Sequence, residues 1–427
     1  MKGLLFIAAR SALNRRGTLL LVVLSIALAT ALLLSLERLR TDIRNSFTRA
    51  VSGTDLVVGA RTGPVPLMLH AVFHIGSGAA NDISIDSVKA IAAHRAVAWA
   101  VPLSLGDSHR GRPVLGTTPE YFTRFAYADK QPLVVARGRV FSDTLDGLYE
   151  TLLGAEVAAA LNYQVGSRLT LSHGLQATGE LAHEHADKPF VVVGVLAPTG
   201  TPVDRTLHVS LRAIEAMHLD WTGGAPLPGL RIQPEFARKF DLEPKHVTAL
   251  LVGLKSRAAV FVVQRFVADY AGEPLLAVLP GVALDDLWAI VGLGERALLA
   301  ISGLVALVSL ASLVAVVLAG LNERRRELAV LRAVGAGPRH VLLLLAAEGA
   351  LVTLSGALLG TLAAAVAVLL AGPWVQQRLG ITLQSGAPGA AQWGLVGAVV
   401  LAGMLASLVP GWRAYRLSLA DGLTPRT

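Results

Sequence analysis

The chain has 427 residues, of which 53% are hydrophobic and only 16% charged; its net charge is +8, its mean hydropathy +0.57, and it has no cysteine. This composition excludes a wholly soluble protein and a disulfide-stapled one. The basic excess collects beside apolar runs, where membrane topology accounts for it, so no nucleic-acid partner is expected.

Residues 1–16 open the chain with Leu4, Leu5, Ala8 and Ala12 at helical spacing and Lys2 and Arg10 on other faces. They read as an amphipathic cytoplasmic helix or as a plain basic flank of the first span. Residues 17–36 form an apolar run long enough to cross a hydrocarbon core, which takes roughly 20 helical residues. Ala27-Leu28-Ala29 offers a cleavable-signal reading, but the run extends past it to Leu36, longer than an ordinary signal core.

Residues 37–296 have an ordinary soluble composition and form the expected outer domain with its stalk. Glu37–Ala50 continues the first helix into water, and a strand follows over Asp55–Ala60. Helical patterns are predicted at Ile85–His94, Gly154–Leu161 and Arg257–Tyr270. Strand patterns are predicted at Val97–Leu105, Arg168–Ser172, Phe190–Leu196, Thr206–Leu211 and Val247–Leu254. Leu284–Arg296 leads back to the membrane, with Trp288 expected at the interface. Further spans are predicted over 297–321, 341–375 and 390–412. Between them lie residues 322–340, a cytoplasmic segment, and 376–389, a short periplasmic loop; residues 413–427 form a cytoplasmic tail. The expected fold is an α-helical integral membrane protein with four transmembrane helices plus a large α+β periplasmic domain between the first and second.

Arginine placement sets the orientation. Lys2, Arg10, Arg15 and Arg16 precede the first span, Arg324, Arg325, Arg326, Arg332 and Arg339 separate the second from the third, and Arg413, Arg416 and Arg426 follow the fourth. Positive loops are retained on the cytoplasmic side, so both termini are cytoplasmic and residues 37–296 lie in the periplasm of a bacterial cell, the protein crossing its inner membrane several times.

The segment between the second and third spans carries the strongest motif. Glu327, Val330, Leu331 and Val334 recur at helical spacing beside an arginine-rich face, the form of a helix that seats in a groove on a partner. Gly335, Gly337 and Pro338 end it. Charge alone also allows a basic loop resting on anionic lipid. Glu323–Gly360 resembles the signature of FtsX/MacB/LolC-E-like ABC permeases, the type VII mechanotransmission superfamily. The resemblance rests on the Glu-Arg-rich helix, the turn Leu331-Arg332-Ala333-Val334-Gly335-Ala336, and Glu348 in the third span. Leu153-Gly154 with Val157 and Gly166, Gly200-Thr201-Pro202-Val203-Asp204-Arg205, and the closing Pro410, Arg413, Ala414 and Arg416 are similar to further segments of such permeases.

The resemblance implies a permease that works with a cytosolic ABC ATPase dimer and a second permease copy or paralogue, converting ATP-driven closure into movement of the outer domains. ATP and Mg would sit on the ATPase, and cargo could be a lipoprotein, lipid, peptide or drug-like molecule. Glu323, Arg324, Glu327, Leu331, Arg332, Val334, Gly335 and Arg339 are the expected coupling residues. The chain has no Gly-Lys dipeptide and hence no Walker A loop, so it is expected to bind no nucleotide and to be no enzyme itself. A non-transporting signalling scaffold that controls a periplasmic protein partner fits the same layout.

Inside the spans, Gly356 with Gly360 and Gly403 with Ser407 form small-residue pairs that let helices approach closely, within one chain or between two. Glu348 reads as a packing or interfacial residue. In the outer domain, His183, His185 and Asp187 lie in one polar loop, His173–Lys188, where imidazoles two apart beside carboxylates suggest ligands for zinc. His70 and His74, at i and i+4, could add to that site. The competing reading is a solvated hairpin tip between strands Arg168–Ser172 and Phe190–Leu196. No catalytic constellation is recognisable.

Overall fold

The computed structural model describes residues 16–50, 53–75, 81–128, 130–174, 185, 187–222, 225–227, 232–323, 336–379, 383 and 386–416. The expected amphipathic N-terminus, most of the coupling segment, His183 and the tail beyond Arg416 fall outside these residues. The described residues form two compact units, one made of the spans and the other of residues 43–291 with a short stretch near residue 380.

Among the described residues, four helices are long and apolar enough to cross a membrane. Helix α1 (Arg16–Ala50) includes both the first span and the predicted stalk in one uninterrupted element. After the outer domain come α7 (Pro280–Glu323), α8 (Pro338–Leu379) and α9 (Ala390–Arg416). The stretch predicted to lead back to the membrane is the first part of α7, and Trp288 there packs edge-on against Phe47 at 5.5 Å with the Arg44 guanidinium over its ring.

The outer unit is built on a mixed sheet of eleven strands among the described residues. They are β1 (Leu56–Ala60), β2 (Val97–His109), β3 (Arg112–Thr117), β4 (Val135–Gly138), β5 (Glu150–Leu153), β6 (Arg168–Leu169), β7 (Ser172–His173), β8 (Phe190–Leu196), β9 (Leu207–Ser210), β10 (Ala249–Leu254) and β11 (Leu275–Val278). The main path runs β11-β1-β10-β2-β3-β9-β5-β8-β4, with β7 paired to β2 and β6 to β8. Side chains alternate between the faces, as the two-residue repeat of a strand requires. Thus Val57 and Leu251 join one core, while Leu56, Val58, Leu250 and Val252 join another on the opposite face. These strands are buried on both sides, which is why they read as continuous apolar runs.

The second core is covered by α3 (Ile85–Ala92) and α6 (Val260–Ala268) through Val88, Ile91, Val263 and Val267. Further along the sheet, α4 (Ala155–Leu161) and α5 (Leu211–His218) contribute Val157, Ala158, Ala213, Ala216 and Met217 to a third core. Helix α5 starts where the Ser210 hydroxyl accepts the amide of Ala213, an N-cap bond typically worth about 1 kcal/mol.

The predicted strand Arg168–Ser172 is in fact two. β6 pairs with β8 and β7 with β2, because the chain crosses between them at Thr170, whose carbonyl is engaged by His109 Nδ1 at 2.5 Å. The predicted strand Val247–Leu254 is likewise divided. Val247 pairs with Ile83 in a separate ribbon, while the Thr248 hydroxyl accepts the amide of Leu105 before β10 begins.

Two segments singled out by the resemblance meet each other. The site of a Cβ on Gly154, which precedes α4, is occupied by the carbonyl oxygens of Val203 and Asp204, so only glycine fits there. The Asp204 carboxylate turns back to accept the amides of Thr199 at 2.8 Å and Gly200 at 2.7 Å. Arg112 and Arg205 both reach Glu156, at 2.8 and 3.5 Å. Burial raises the Asp204 pKa despite those donated hydrogen bonds.

Candidate functional site

Of the residues expected to couple to an ATPase, Glu323 closes α7 and Arg339 lies exposed in the first turn of α8. Arg324, Glu327, Leu331, Arg332, Val334 and Gly335 lie outside the described residues.

The small residues of the spans sit where helices approach closely. A Cβ on Gly356 would fall 2.8 Å from Ile26 Cβ, and one on Gly360 would fall 2.7 Å from Thr30 Cβ, so this pair of α8 faces α1 of the same chain. A Cβ on Gly403 of α9 would overlap the Thr353 side chain, and one on Gly349 would overlap Ser407. Thr353 and Ser407 are fully buried there, and Glu348, which adjoins Gly349 in sequence, is buried too. The close approach within one chain is therefore what these glycines permit.

In the outer unit, four side chains from four elements converge: Asp107 of β2, His173 of β7, His185 from the loop before β8, and His218 at the end of α5. Asp107 is aimed inward by an irregularity in the β2–β3 pairing between Leu105 and Ser108, and it lies opposite His173 in the β2–β7 register. Their candidate ligand atoms all lie within 4.8 Å of one another. His173 Nδ1 is 3.1 Å from Asp107 Oδ1 and 3.2 Å from His218 Nε2, and His218 Nε2 is 3.5 Å from Asp107 Oδ1.

The backbone fixes these rings. His218 Nδ1 donates to the Ile214 carbonyl at 2.9 Å, which turns Nε2 toward the cluster. The His185 amide donates to the Leu171 carbonyl, and the His185 carbonyl accepts the amide of Lys188. Lys188, fully buried, donates through Nζ to Asp220 Oδ1 at 2.7 Å and to the Met217 carbonyl at 3.1 Å, tying the loop end to the last turn of α5. Trp221 forms a wall, its ring 4.6 Å from that of His185 and 5.1 Å from that of His173.

The electrostatics are those of a buried anion surrounded by imidazoles. Burial alone would raise the Asp107 pKa, but hydrogen bonds from His173 and His218 outweigh it and hold the carboxyl well below its ordinary range. Burial works against a charge on His218 too, yet the hydrogen bond and charge of Asp107, with the Ile214 carbonyl, raise its pKa. His185 is pushed down to about 4, first by burial, with Asp107 opposing and His218 and Lys188 adding to the fall. Its Nε2 is buried and has no hydrogen-bond partner among the described residues.

The sequence reading therefore overlaps the cluster at one residue. His185 belongs to it. Asp187 is exposed, 3.9 Å from Lys188 Nζ, and is not one of the four; His183 lies outside the described residues. His70 and His74 do not share a helical face, since α2 (Pro64–Ala71) ends before His74, which takes a left-handed φ of 54°. His70 is buried and His74 half-buried, the latter donating through Nδ1 to Thr206 Oγ1 at 2.9 Å. Asp107 and His218, 66 and 45 residues from His173, carried no local signal.

Comparison with known proteins places the chain by family. The model for the MacB-like periplasmic core domain matches residues 17–260, more than half of the chain, and that for the FtsX-like permease C-terminal region matches residues 299–419. Among solved structures, the periplasmic region of MacB from Actinobacillus actinomycetemcomitans is 12% identical, the match covering 56% of this chain and 97% of that one with a TM-score of 0.34. The extracellular domain of the noncanonic ABC-type transporter YknZ from Gram-positive bacteria is 13% identical, covering 46% of this chain and 89% of that one with a TM-score of 0.29. No curated protein matches the chain. With one family model spanning the first helix and the outer domain and the other the last three helices, the chain belongs to the FtsX/MacB-like ABC transporter permeases.

Proposed function

We propose that the protein is the permease subunit of an ABC transporter, working with a separate cytosolic ATPase and a second permease subunit to perform ATP-driven work on the outer side of a bacterial inner membrane. The observation that carries this reading is the pair of family matches, laid over four apolar helices with the large α/β domain inserted between the first and second. Both termini and residues 322–340 are cytoplasmic in this reading, following the arginine distribution. The apolar stripe Val330, Leu331 and Val334 seats in a groove of the ATPase, the arginines flanking it. Movement of that segment passes through α7 and α8 to the outer domain, and extraction or export of a lipoprotein, lipid, peptide or drug-like molecule is the work done.

The test is direct. Leu331→Asp with Val334→Asp should insert normally yet lose the ATPase in a detergent pull-down by at least about tenfold, since a charge placed in a buried apolar contact costs several kcal/mol. An unchanged yield of ATPase would overturn the assignment of this segment.

A further inference from the structure

We propose that Asp107, His173, His185 and His218 form a binding site in the outer domain for one divalent first-row transition ion, with zinc the best fit. The site is built wholly from residues of the outer unit, and it stands independently of the transport reading.

Geometry makes the first argument. Zinc bonds to imidazole nitrogen and carboxylate oxygen at about 2.0–2.1 Å, which in a tetrahedron separates neighbouring ligand atoms by about 3.3 Å. His173 Nδ1, His218 Nε2 and Asp107 Oδ1 form a triangle with sides of 3.1, 3.2 and 3.5 Å. That is one face of such a tetrahedron before any ion has drawn it together. His185 supplies the fourth donor, with all four atoms within 4.8 Å, so closure asks a shift of at most about 1.5 Å from a single loop residue.

Proton accounting makes the second. The Ile214 carbonyl accepts a hydrogen bond from His218 Nδ1–H, which leaves the Nε2 lone pair facing the cluster in the neutral ring. Hydrogen bonding within the group satisfies Asp107, His173 and His218 but leaves the buried His185 Nε2 empty. A hydrogen-bonded network uses three of the four residues, whereas a metal ion uses all four. An unfilled buried imidazole nitrogen is destabilising, and a cation at the centre removes that cost.

Donor chemistry makes the third. Three imidazoles and one carboxylate are too rich in nitrogen for calcium or magnesium, which take oxygen, and they suit zinc among the divalent ions. The ion would replace a proton as the positive partner of the buried carboxylate. His173 and His218 keep about a third and a quarter of their side-chain surface open, 36% and 26%, so an ion has a route from solvent and its occupancy follows the zinc outside. Bound zinc would fasten the loop before β8 to β2 and α5.

The experiment uses the full chain, purified in detergent without a polyhistidine tag, loaded with zinc sulfate and desalted. Elemental analysis should find about one zinc per chain in the wild type and less than about a tenth of that in His173→Ala and in His218→Ala. His246→Ala, which alters an exposed imidazole elsewhere in the domain, should bind like the wild type. If either alanine variant elutes as aggregate, His185→Gln replaces it, because glutamine keeps the volume and removes the metal donor. Cobalt in place of zinc should give the intense visible absorption of a four-coordinate centre in the wild type, absent in the variants. Wild-type protein that retains no zinc overturns the proposal, as does equal retention by the folded cluster variants or a cobalt spectrum of octahedral intensity. Loss of ATPase association would leave this result untouched, which separates it from the permease reading.

Discussion

The membrane unit and the outer unit bury polar groups in opposite ways. In the spans, hydroxyls close mostly onto their own helix, although the Ser25 and Ser309 hydroxyls meet between helices at 2.9 Å. Thr30 bonds to the Ile26 carbonyl, Thr353 to Gly349, Thr361 to Ala357 and Ser407 to Met404. A helix in lipid must satisfy its polar groups internally before it meets a neighbour, so helix contacts are left to glycine and small side chains. In the outer unit, buried polar groups reach across the fold. Lys188 bonds to Asp220, Asp107 to His173, and the Thr151 hydroxyl to the His208 carbonyl. Water solvates the unfolded domain, so each of those groups is stable only when its distant partner is in place. The outer unit's polar contacts therefore depend on correct tertiary structure, and most of the hydroxyl contacts of the spans do not.

Breaking the Lys188–Asp220 pair is the harshest test of that contrast. Lys188→Met would leave the Asp220 carboxylate buried without its cation, and the outer unit should lose about 3–5 kcal/mol in denaturant unfolding followed by tryptophan fluorescence. Lys188→Met with Asp220→Leu should recover most of the loss, since a buried ion pair and an apolar pair of similar volume are often of comparable stability. A single variant as stable as wild type would show that the pair contributes nothing, and the comparison would fail on this side.

How much of this was legible in the sequence follows the same division. Spans were readable because each is a local run of apolar residues, and Gly356, Gly360, Gly403 and Ser407 were readable because small-residue spacing on one helix is a local pattern. Strands such as Phe190–Leu196 were found to the residue, being short apolar runs between turns. The order of the sheet was not readable, because β1 pairs with β10 and β11 across roughly two hundred residues and no local pattern encodes that register. The cluster was lost for the same reason. The loop drew attention to His185 through its neighbours His183 and Asp187, but Asp107 was one acid in an apolar strand and His218 one imidazole at a helix end. Only the fold puts them together, the first through the irregularity after Leu105 and the second through the end of α5.

The membrane side of the comparison can be sharpened with two glycines of α9. Gly403→Val places methyl groups on the Thr353 side chain and should destabilise the spans by about 1–3 kcal/mol in detergent-titration unfolding. Gly397→Val, on the same helix but with open space at its Cβ, should stay within about 0.5 kcal/mol of wild type. The reverse ranking would mean that a second chain covers the Gly397 face, and the packing described for Gly403 would no longer explain the spacing.

Acid supplies the mildest test, because it acts on buried imidazoles of the outer unit that have nothing to do with the cluster. Burial pushes the His74 pKa down to about 3, with His208 and His70 adding to the fall, and burial pushes His208 to about 4 against the Leu152 carbonyl that accepts from its Nδ1. His70 is also lowered by burial, with Asp82 opposing. Each ring is neutral in the folded protein and takes a proton near pH 6.5 when unfolded. Their contribution is therefore fully present above about pH 6.5 and is lost progressively as pH falls toward 4 and 3. Between pH 7 and pH 6 the loss from His74 and His208 together should be about 1.4 kcal/mol, read from denaturant midpoints at the two pH values. His74→Gln with His208→Gln should be less stable at neutral pH yet show a flatter pH dependence. A slope unchanged by that pair of substitutions would assign the acid sensitivity to other groups and leave these two histidines as ordinary polar fill.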